Sequence, residues 1–219
     1  KNMKADISGW DFDKTVADAR EIWNNELSVI DVKTDDAEQK EIFYTALYHT
    51  AISPCIASDV DGRYRTMGHT IVQDTSYTNY TLFSLWDTFR ALHPLYTVIC
   101  PDINQAFIRT FLRKYDESGV LPKWELASNE TGTMIGYHAV SVIADAFFKN
   151  QRKFDVNKAL AACVRSSTYD TTGITPMMPA SIVARIMPLE LKYKNELGYV
   201  PADRCGRSVS QGIEFAYND

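Results

Sequence analysis

The sequence predicts an all-α fold of about seven or eight helices, set in pairs with long loops between them. Three observations carry this. Apolar residues recur at spacings of three and four in one stretch after another. Neighbouring stretches are joined by polar links and read as antiparallel hairpins. Two segments, residues 53–80 and 121–132, lose the helical period altogether. Aperiodic segments of that length are uncommon in a folded domain and usually functional. Helices paired in this way suggest a helical toroid.

The first helix starts near Asp11, with Val16, Ala19, Trp23, Leu27 and Ile30 on one face and acidic residues at its start. A second follows Asp35 or Asp36, its buried side marked by Ile42, Phe43, Ala46, Leu47 and Thr50. Residues 53–80, with Pro54, Gly62 and Gly68, read as a long loop holding a short hairpin. Helix resumes near Thr81 and runs toward Leu92, where His93–Pro94 breaks or kinks it. Another spans residues 103–117, with Ala106, Phe107, Thr110, Phe111 and Tyr115 inward and Gly119 placed to end it. Residues 133–149 are apolar nearly all round, as in a helix buried on most sides. Asp155 suits the cap of a helix over 156–166. Residues 167–196, with Pro176, Pro179 and Pro188, read as loop with one helix around 180–187. Ser208 caps a last helix, which the sequence carries to Asp219 without a closing signal.

A chain of 219 residues fits one domain, two at most. Hydrophobic residues make up 45 % and charged residues 23 %, the ordinary composition of a globular protein. A net charge of −5 leaves no basic footprint, so nucleic acid is not an expected partner. The four cysteines form no CxxC pair and read as free thiols in or near the core. No stretch of about 20 apolar residues is present, so no membrane span is expected.

Chemistry concentrates in residues 82–138. Trp86, Asp87 and Arg90 share the helix after Thr81, with Asp87 and Arg90 three apart. The ordinary reading is a surface ion pair. Leu82, Leu85, Phe89 and Leu92 argue for burial instead, and a buried pair needs further hydrogen bonds that sugar hydroxyls can supply. Asp87 would accept from hydroxyls, Arg90 would orient it or donate, and Trp86 would offer a flat face. Lys123, Trp124, Asn129 and Glu130 lie on a loop leading into a helix, where binding residues gather. Glu130 also suits a helix start, and Asn129 opens a glycosylation sequon, as does Asn79. His138 sits on the apolar helix and is either a core residue or a pocket one; His49 and His93 read as core. Asp59, Asp61 and Gly62 begin like a calcium loop, but glycine falls at the fourth place and Thr70 stands where a bidentate glutamate belongs. A tight turn fits them better, a contact with substrate or a neighbouring domain being the other reading. Glu214, with Gln211 on the same face, is either a pocket carboxylate or a helix-surface residue.

The segments GWDFD (9–13), FYTALYHT (43–50), SDVDGRYR (58–65), SLWDTFRALHP (84–94), LPKWELASNETGTMIGYHAVSVIADA (121–146), GYVPAD (198–203) and SVSQGIEFAYND (208–219) follow one another in order. Together they resemble the catalytic domain of glycoside hydrolase family 92, the calcium-dependent exo-α-mannosidases. The resemblance implies an (α/α)6 barrel preceded by a β-sandwich, with this chain the N-terminal part of the barrel, cut at both ends. It also implies inverting hydrolysis of terminal α-linked mannose, calcium as cofactor, a mannose-containing glycan as substrate and an extracytoplasmic parent. The substrate-binding set is then Trp86, Asp87, Arg90, Lys123, Trp124, Asn129, Glu130 and His138. The family's acid, base and most calcium ligands belong to EGNAWQY-like and GNDD-like segments, neither of which occurs here. No catalytic residue and no metal ligand is therefore assigned within the chain, Glu130 being the nearest candidate for proton transfer. Two other readings stay open: a non-catalytic carbohydrate-binding helical domain, and another helical-toroid glycosidase. A structural repeat would scatter Trp86, Asp87 and Glu130, and no repeat period is visible.

Overall fold

Aspartates at non-helical backbone angles set the first two long helices. Asp11 accepts from the Lys14 amide ahead of α2 (Phe12–Leu27), and Asp36 accepts from Glu38 and Gln39 ahead of α3 (Ala37–Thr50). A short α1 (Asn2–Asp6) precedes them. The computed structural model describes residues 1–7 and 9–218. Helices α2 and α3 form the expected hairpin: the Tyr44 hydroxyl donates to the Ile30 carbonyl at 2.9 Å, and Trp23 meets Tyr48 edge-on at 4.6 Å. The expected faces are only half covered. Leu47 is buried and Phe43 and Thr50 half-buried, while Val16, Ala19, Ile42 and Ala46 are exposed. The helical period names a face; it does not supply what covers it.

The all-α expectation is corrected by seven short strands among the described residues, although about half of those residues are helical. Strand β1 (Cys55–Ile56) pairs with β4 (Tyr80–Thr81), and β2 (Arg63–Arg65) with β3 (Ile71–Gln73), the latter being the short hairpin expected in the long loop. The helix expected from Thr81 to Leu92 is mostly not one. Its first part is strand, β4 and β5 (Phe83–Ser84), with Leu82 between them at a left-handed φ of 68°. A single turn, α4 (Leu85–Thr88), follows. Pro94 then falls inside the first turn of α5 (Leu92–Ile99), where its missing amide leaves no bond unmade, so it breaks nothing.

Helix α6 (Pro101–Ser118) is the axis of the core. It packs against α5, α7 (Ala139–Phe148) and α8 (Val156–Ser167). Phe107, Ile108, Phe111 and Leu112 are buried with Phe83, Leu85, Val142 and Ile143, and alanines 139, 146, 159 and 162 let the helices approach closely. Of the residues expected inward on α6, Ala106 and Tyr115 are only half-buried. Gly119 ends α6 at φ 85°; a Cβ there would stand 2.4 Å from the Gly173 carbonyl oxygen, so no other residue fits without displacing backbone. Asp155 caps α8 as expected.

The loop over 121–132 carries a second correction, a hairpin of β6 (Trp124–Leu126) and β7 (Asn129–Glu130) that extends β5 into a three-stranded sheet. Helix α7 starts at Ala139, later than expected, because Gly132, Met134 and Gly136 hold left-handed conformations ahead of it. Beyond α8 a smaller apolar group of Val120, Met178, Met187 and Leu191 seats α9 (Ala180–Ile186) and α10 (Leu189–Leu197). The sequence reading has no counterpart of α10. Helix α11 (Val209–Ala216) is capped by Ser208 and packs on α10. It closes at Ala216, with Tyr217 extended, so the expected unclosed helix is two turns long; Asp219, where that reading ended, lies outside the described residues.

Candidate functional site

The β5–β6–β7 sheet sets two of the segments that carry expected site residues side by side. Ser84 pairs with Trp124 and Phe83 with Glu125 across β5 and β6, which sets the Trp86–Arg90 turn beside the β6–β7 hairpin. The Ser84 hydroxyl donates to the Asp87 carboxylate. Phe89, on the same turn, stacks on His138 at 4.0 Å with the rings 9° from parallel, and the Arg90 guanidinium lies 4.8 Å from the Phe89 ring centre. Three separate stretches of sequence therefore converge: 84–90, the 123–130 hairpin and the entry to α7.

Burial sorts these residues into two kinds. Asp87 and Arg90 are exposed, Trp86, Trp124 and Asn129 half-buried, and Lys123, Glu130 and His138 buried. The expectation of a buried Asp87–Arg90 helix is thus corrected: the segment is one helical turn followed by a bend, and both charged groups reach solvent.

Glu130 is a brace for the loop. Its carboxylate accepts from the Lys123, Trp124 and Gly132 amides at 2.9, 3.1 and 2.9 Å. Burial nevertheless pushes its pKa up, against those three amides and the Lys123 charge. Its oxygens are occupied by backbone, and it begins no helix, being in β7. Lys123 is its buried counterpart. The ammonium donates to the Arg185 carbonyl at 3.1 Å and lies 5.2 Å from the Phe215 ring centre, tying the hairpin to α9 and α11. Desolvation brings its pKa down to about 8, opposed by Glu130 and reinforced by the Arg207 charge. Lys123 and Glu130 accordingly brace the hairpin from within, whereas Trp86, Asp87, Arg90 and Trp124 keep accessible surface.

Asn129 spends its amide locally, donating to the Leu126 and Ala127 carbonyls and meeting His69 Nε2 at 2.9 Å. Asn79, the other sequon residue, is 1 % exposed, so it is not accessible to a glycosyl donor. His93 is a core residue as expected, its Nδ1 2.9 Å from Asn104 Oδ1 and its pKa lowered to about 4 by burial. The 59–62 segment is a tight turn: Gly62 donates to the Asp59 carbonyl at φ 78°, and Asp61 pairs with Arg63 at 3.0 Å. Its Asp59 also meets Asn2 of α1 at 2.7 Å. Glu214 and Gln211 are exposed on α11. The four cysteines are free and half-buried.

Sequence reasoning missed the group that holds the hairpin. Glu125 is fully buried and accepts from Lys114 Nζ at 2.9 Å, from the Thr81 hydroxyl at 3.1 Å and from the Ser128 amide at 2.6 Å. The only signal was alternation in Trp124–Glu125–Leu126, which places Glu125 opposite its neighbours. It missed as well Asn218, which accepts from the Tyr137 amide in the loop before α7 and donates to Ser141 within α7.

Comparison with known families matches residues 1–219 to the Glycosyl hydrolase family 92 catalytic domain. The chain belongs to glycosyl hydrolase family 92. Among solved family 92 structures, an α-mannosidase from Bacteroides thetaiotaomicron is 36 % identical, with a TM-score of 0.81 over 98 % of this chain and 27 % of that one. An inverting mannosidase of the same organism is 28 % identical, with a TM-score of 0.83 over 99 % of this chain and 28 % of that one. A curated relative from Arthroderma benhamiae, described as an uncharacterized secreted glycosidase, is 26 % identical over 100 % of this chain and 24 % of its own length. The chain thus spans about a quarter of the length of the family 92 relatives it matches. No helix among the described residues is long and apolar enough to cross a membrane.

Proposed function

We propose that this chain is the N-terminal part of an (α/α)6-barrel catalytic domain. In this reading it supplies one wall of a site that hydrolyses terminal α-linked mannose with inversion. The observation that carries it is the likeness, along nearly the whole chain, to two solved family 92 mannosidases, one inverting and one also solved with mannoimidazole. The chemistry of the accessible side supports it: two indoles offer flat apolar faces, and Asp87 and Arg90 offer an acceptor and donors for hydroxyls. A β-sandwich and the remaining barrel helices would come from the rest of the parent, which the reading places outside the cytoplasm; the secreted relative supports that placement.

The acid and base of an inverting glycosidase stand roughly 6.5–9.5 Å apart across the sugar. In this reading both come from outside the chain. Glu130 is ill-suited to proton transfer, because its carboxylate is engaged by three amides and the residue is largely buried. Among the described residues no group of three or more His, Cys, Asp or Glu is placed to bind a metal. Calcium would be held by the rest of the parent. Here Trp86 and Trp124 hold the ring face, Asp87 and Arg90 orient hydroxyls, and Glu130 and Glu125 fix the hairpin.

The test compares the 219-residue chain with a longer polypeptide carrying it, on α-mannosides with calcium or with a chelator. The expected result is no turnover by the short chain and calcium-dependent release of inverted mannose by the long one. Turnover by the short chain alone overturns the placement of the acid and base. No α-mannoside hydrolysis by the long one overturns the activity.

A further inference from the structure

We propose a second carbohydrate-binding site on this chain, in the cleft between the loop after β3 and helices α6 and α8, taking a neutral, hydroxyl-rich ring against Tyr77 and Phe154. The cleft is a shallow open groove of about 280 Å³, just below the usual range of ligand-sized pockets and enough for one sugar ring. Tyr77 and Phe154 are both half-buried, presenting ring area without being lost in the core. Tyr77 is held in place by Tyr64, edge-on at 5.8 Å, and by the Arg113 guanidinium 5.5 Å from its ring centre, so one part of the ring is already covered and the remainder faces the cleft.

The charges decide the class of ligand. Arg109, Arg113 and Lys158 line the cleft together with Asp74, Asp116 and Asp155, three of each sign. An anion or a cation meets as much repulsion as attraction there. Hydroxyls use both signs, donating to carboxylates and accepting from N–H groups. These side chains are fixed before any ligand arrives: Arg113 pairs with Asp74 at 2.6 Å, Lys158 with Asp116 at 2.8 Å, and Arg109 donates to the Lys153 carbonyl at 3.0 Å. Fixed groups lose little freedom on binding, which is where much of the cost of recognition lies. The Asp74 pKa is lowered, first by hydrogen bonds from the Ser76 hydroxyl and amide and then by the Arg113 charge. A second cavity of about 550 Å³ shares Asp74 and Tyr77 with the cleft as lining residues and is lined also by Ser58, Thr75 and Thr78 and by the carboxylates Asp6 and Asp59. None of these residues belongs to the site built on Trp86 and Trp124, so the inference does not rest on the proposed activity.

The experiment titrates isotopically labelled 219-residue chain with mannotriose, and separately with inorganic phosphate and spermidine, following backbone amides by NMR. Saturable shifts at Ser76, Tyr77, Arg113 and Lys158 with mannotriose are expected. Tyr77→Ala or Phe154→Ala should weaken them about tenfold through loss of a ring contact, and Trp86→Ala should leave them unchanged. Ser76→Trp, filling the cleft from an exposed position, should abolish them even if the ring variants fail to fold. The proposal is overturned if mannotriose shifts none of these amides, if Ser76→Trp binds as well as the parent chain, or if phosphate or spermidine binds the cleft more tightly.

Discussion

Lys114 Nζ stands 2.9 Å from Glu125 Oε1, and neither side chain is exposed beyond 2 %. A buried pair of this kind is costly to assemble and more costly to break, because the survivor is left charged without a partner. Glu125→Ala or Lys114→Met alone should each lose on the order of 3–5 kcal/mol. The double variant should lose clearly less than the sum, since neither charge is then stranded. Urea unfolding of the four proteins reads the coupling. Simple additivity would mean that the two groups act independently.

Lys123 gives a pH signature. Its folded pKa is depressed to about 8 against the ordinary lysine value of 10.5. Between those values the unfolded chain binds a proton that the folded chain does not, so this group makes stability rise with pH across the window and lose that gain as pH falls through about 8. The slope approaches about 1.4 kcal/mol per pH unit. Lys123→Met should flatten the stability curve above pH 8 relative to the parent chain, as measured by urea midpoints at successive pH values. An unchanged slope would show that the buried amine titrates normally.

His93 works at the other end of the scale. Burial lowers its pKa from 6.5 to about 4, partly opposed by the hydrogen bond that Nδ1 donates to Asn104 Oδ1 and by the charge of Asp145. A depressed folded value means that its contribution is fully present above pH 6.5 and disappears as pH falls through about 4. The imidazole resonances should stay those of the neutral ring down to about pH 4, and His93→Gln should shallow the acid-unfolding curve. Protonation near pH 6.5 in the folded state would contradict this.

The legible parts of the fold were those fixed locally. Asp11, Asp36, Asp155 and Ser208 each cap their helix through an amide two or three residues away, so sequence alone places them. The β6–β7 turn was not legible. Ala127 and Ser128 both hold left-handed angles, φ 48° and 63°, without the Asn-Gly or Asp-Gly pair that usually marks such a turn. Their conformation is supported from elsewhere: the Ala127 amide donates to the Thr81 hydroxyl, the Ser128 amide to Glu125, and the Ser128 hydroxyl to the Arg65 carbonyl. Prolines misled in the other direction. Pro179 and Pro188 read as loop, yet each stands immediately before a helix, where an amide is not needed. For the site, residue types pointed to the three segments that carry Trp86, Trp124 and His138. The split between accessible and supporting groups was not, because Glu130 and Lys123 look like ligand-binding residues until their backbone partners are known.

The loop before α7 offers the sharpest test of how the site is held. Gly136 sits at φ 66°, and a Cβ on it would come 2.6 Å from His138 Nε2. The ring that would be struck is the one stacked 4.0 Å from Phe89, on the turn carrying Asp87 and Arg90. Gly136→Ala meets two penalties, a left-handed backbone angle that alanine resists and a steric conflict with a buried ring that has little room to retreat. Backbone strain of this type costs about 1–3 kcal/mol. The larger effect should be local: displacement of His138 loosens the Phe89 stack and with it the placement of Asp87 and Arg90. In a longer polypeptide with α-mannosidase activity, Gly136→Ala should therefore raise KM and lower kcat together while the core stays folded. His138→Phe, which keeps a flat ring against Phe89, should retain more activity than His138→Ala. Equal loss in those two variants would mean that the imidazole itself touches substrate, and that the stack is incidental.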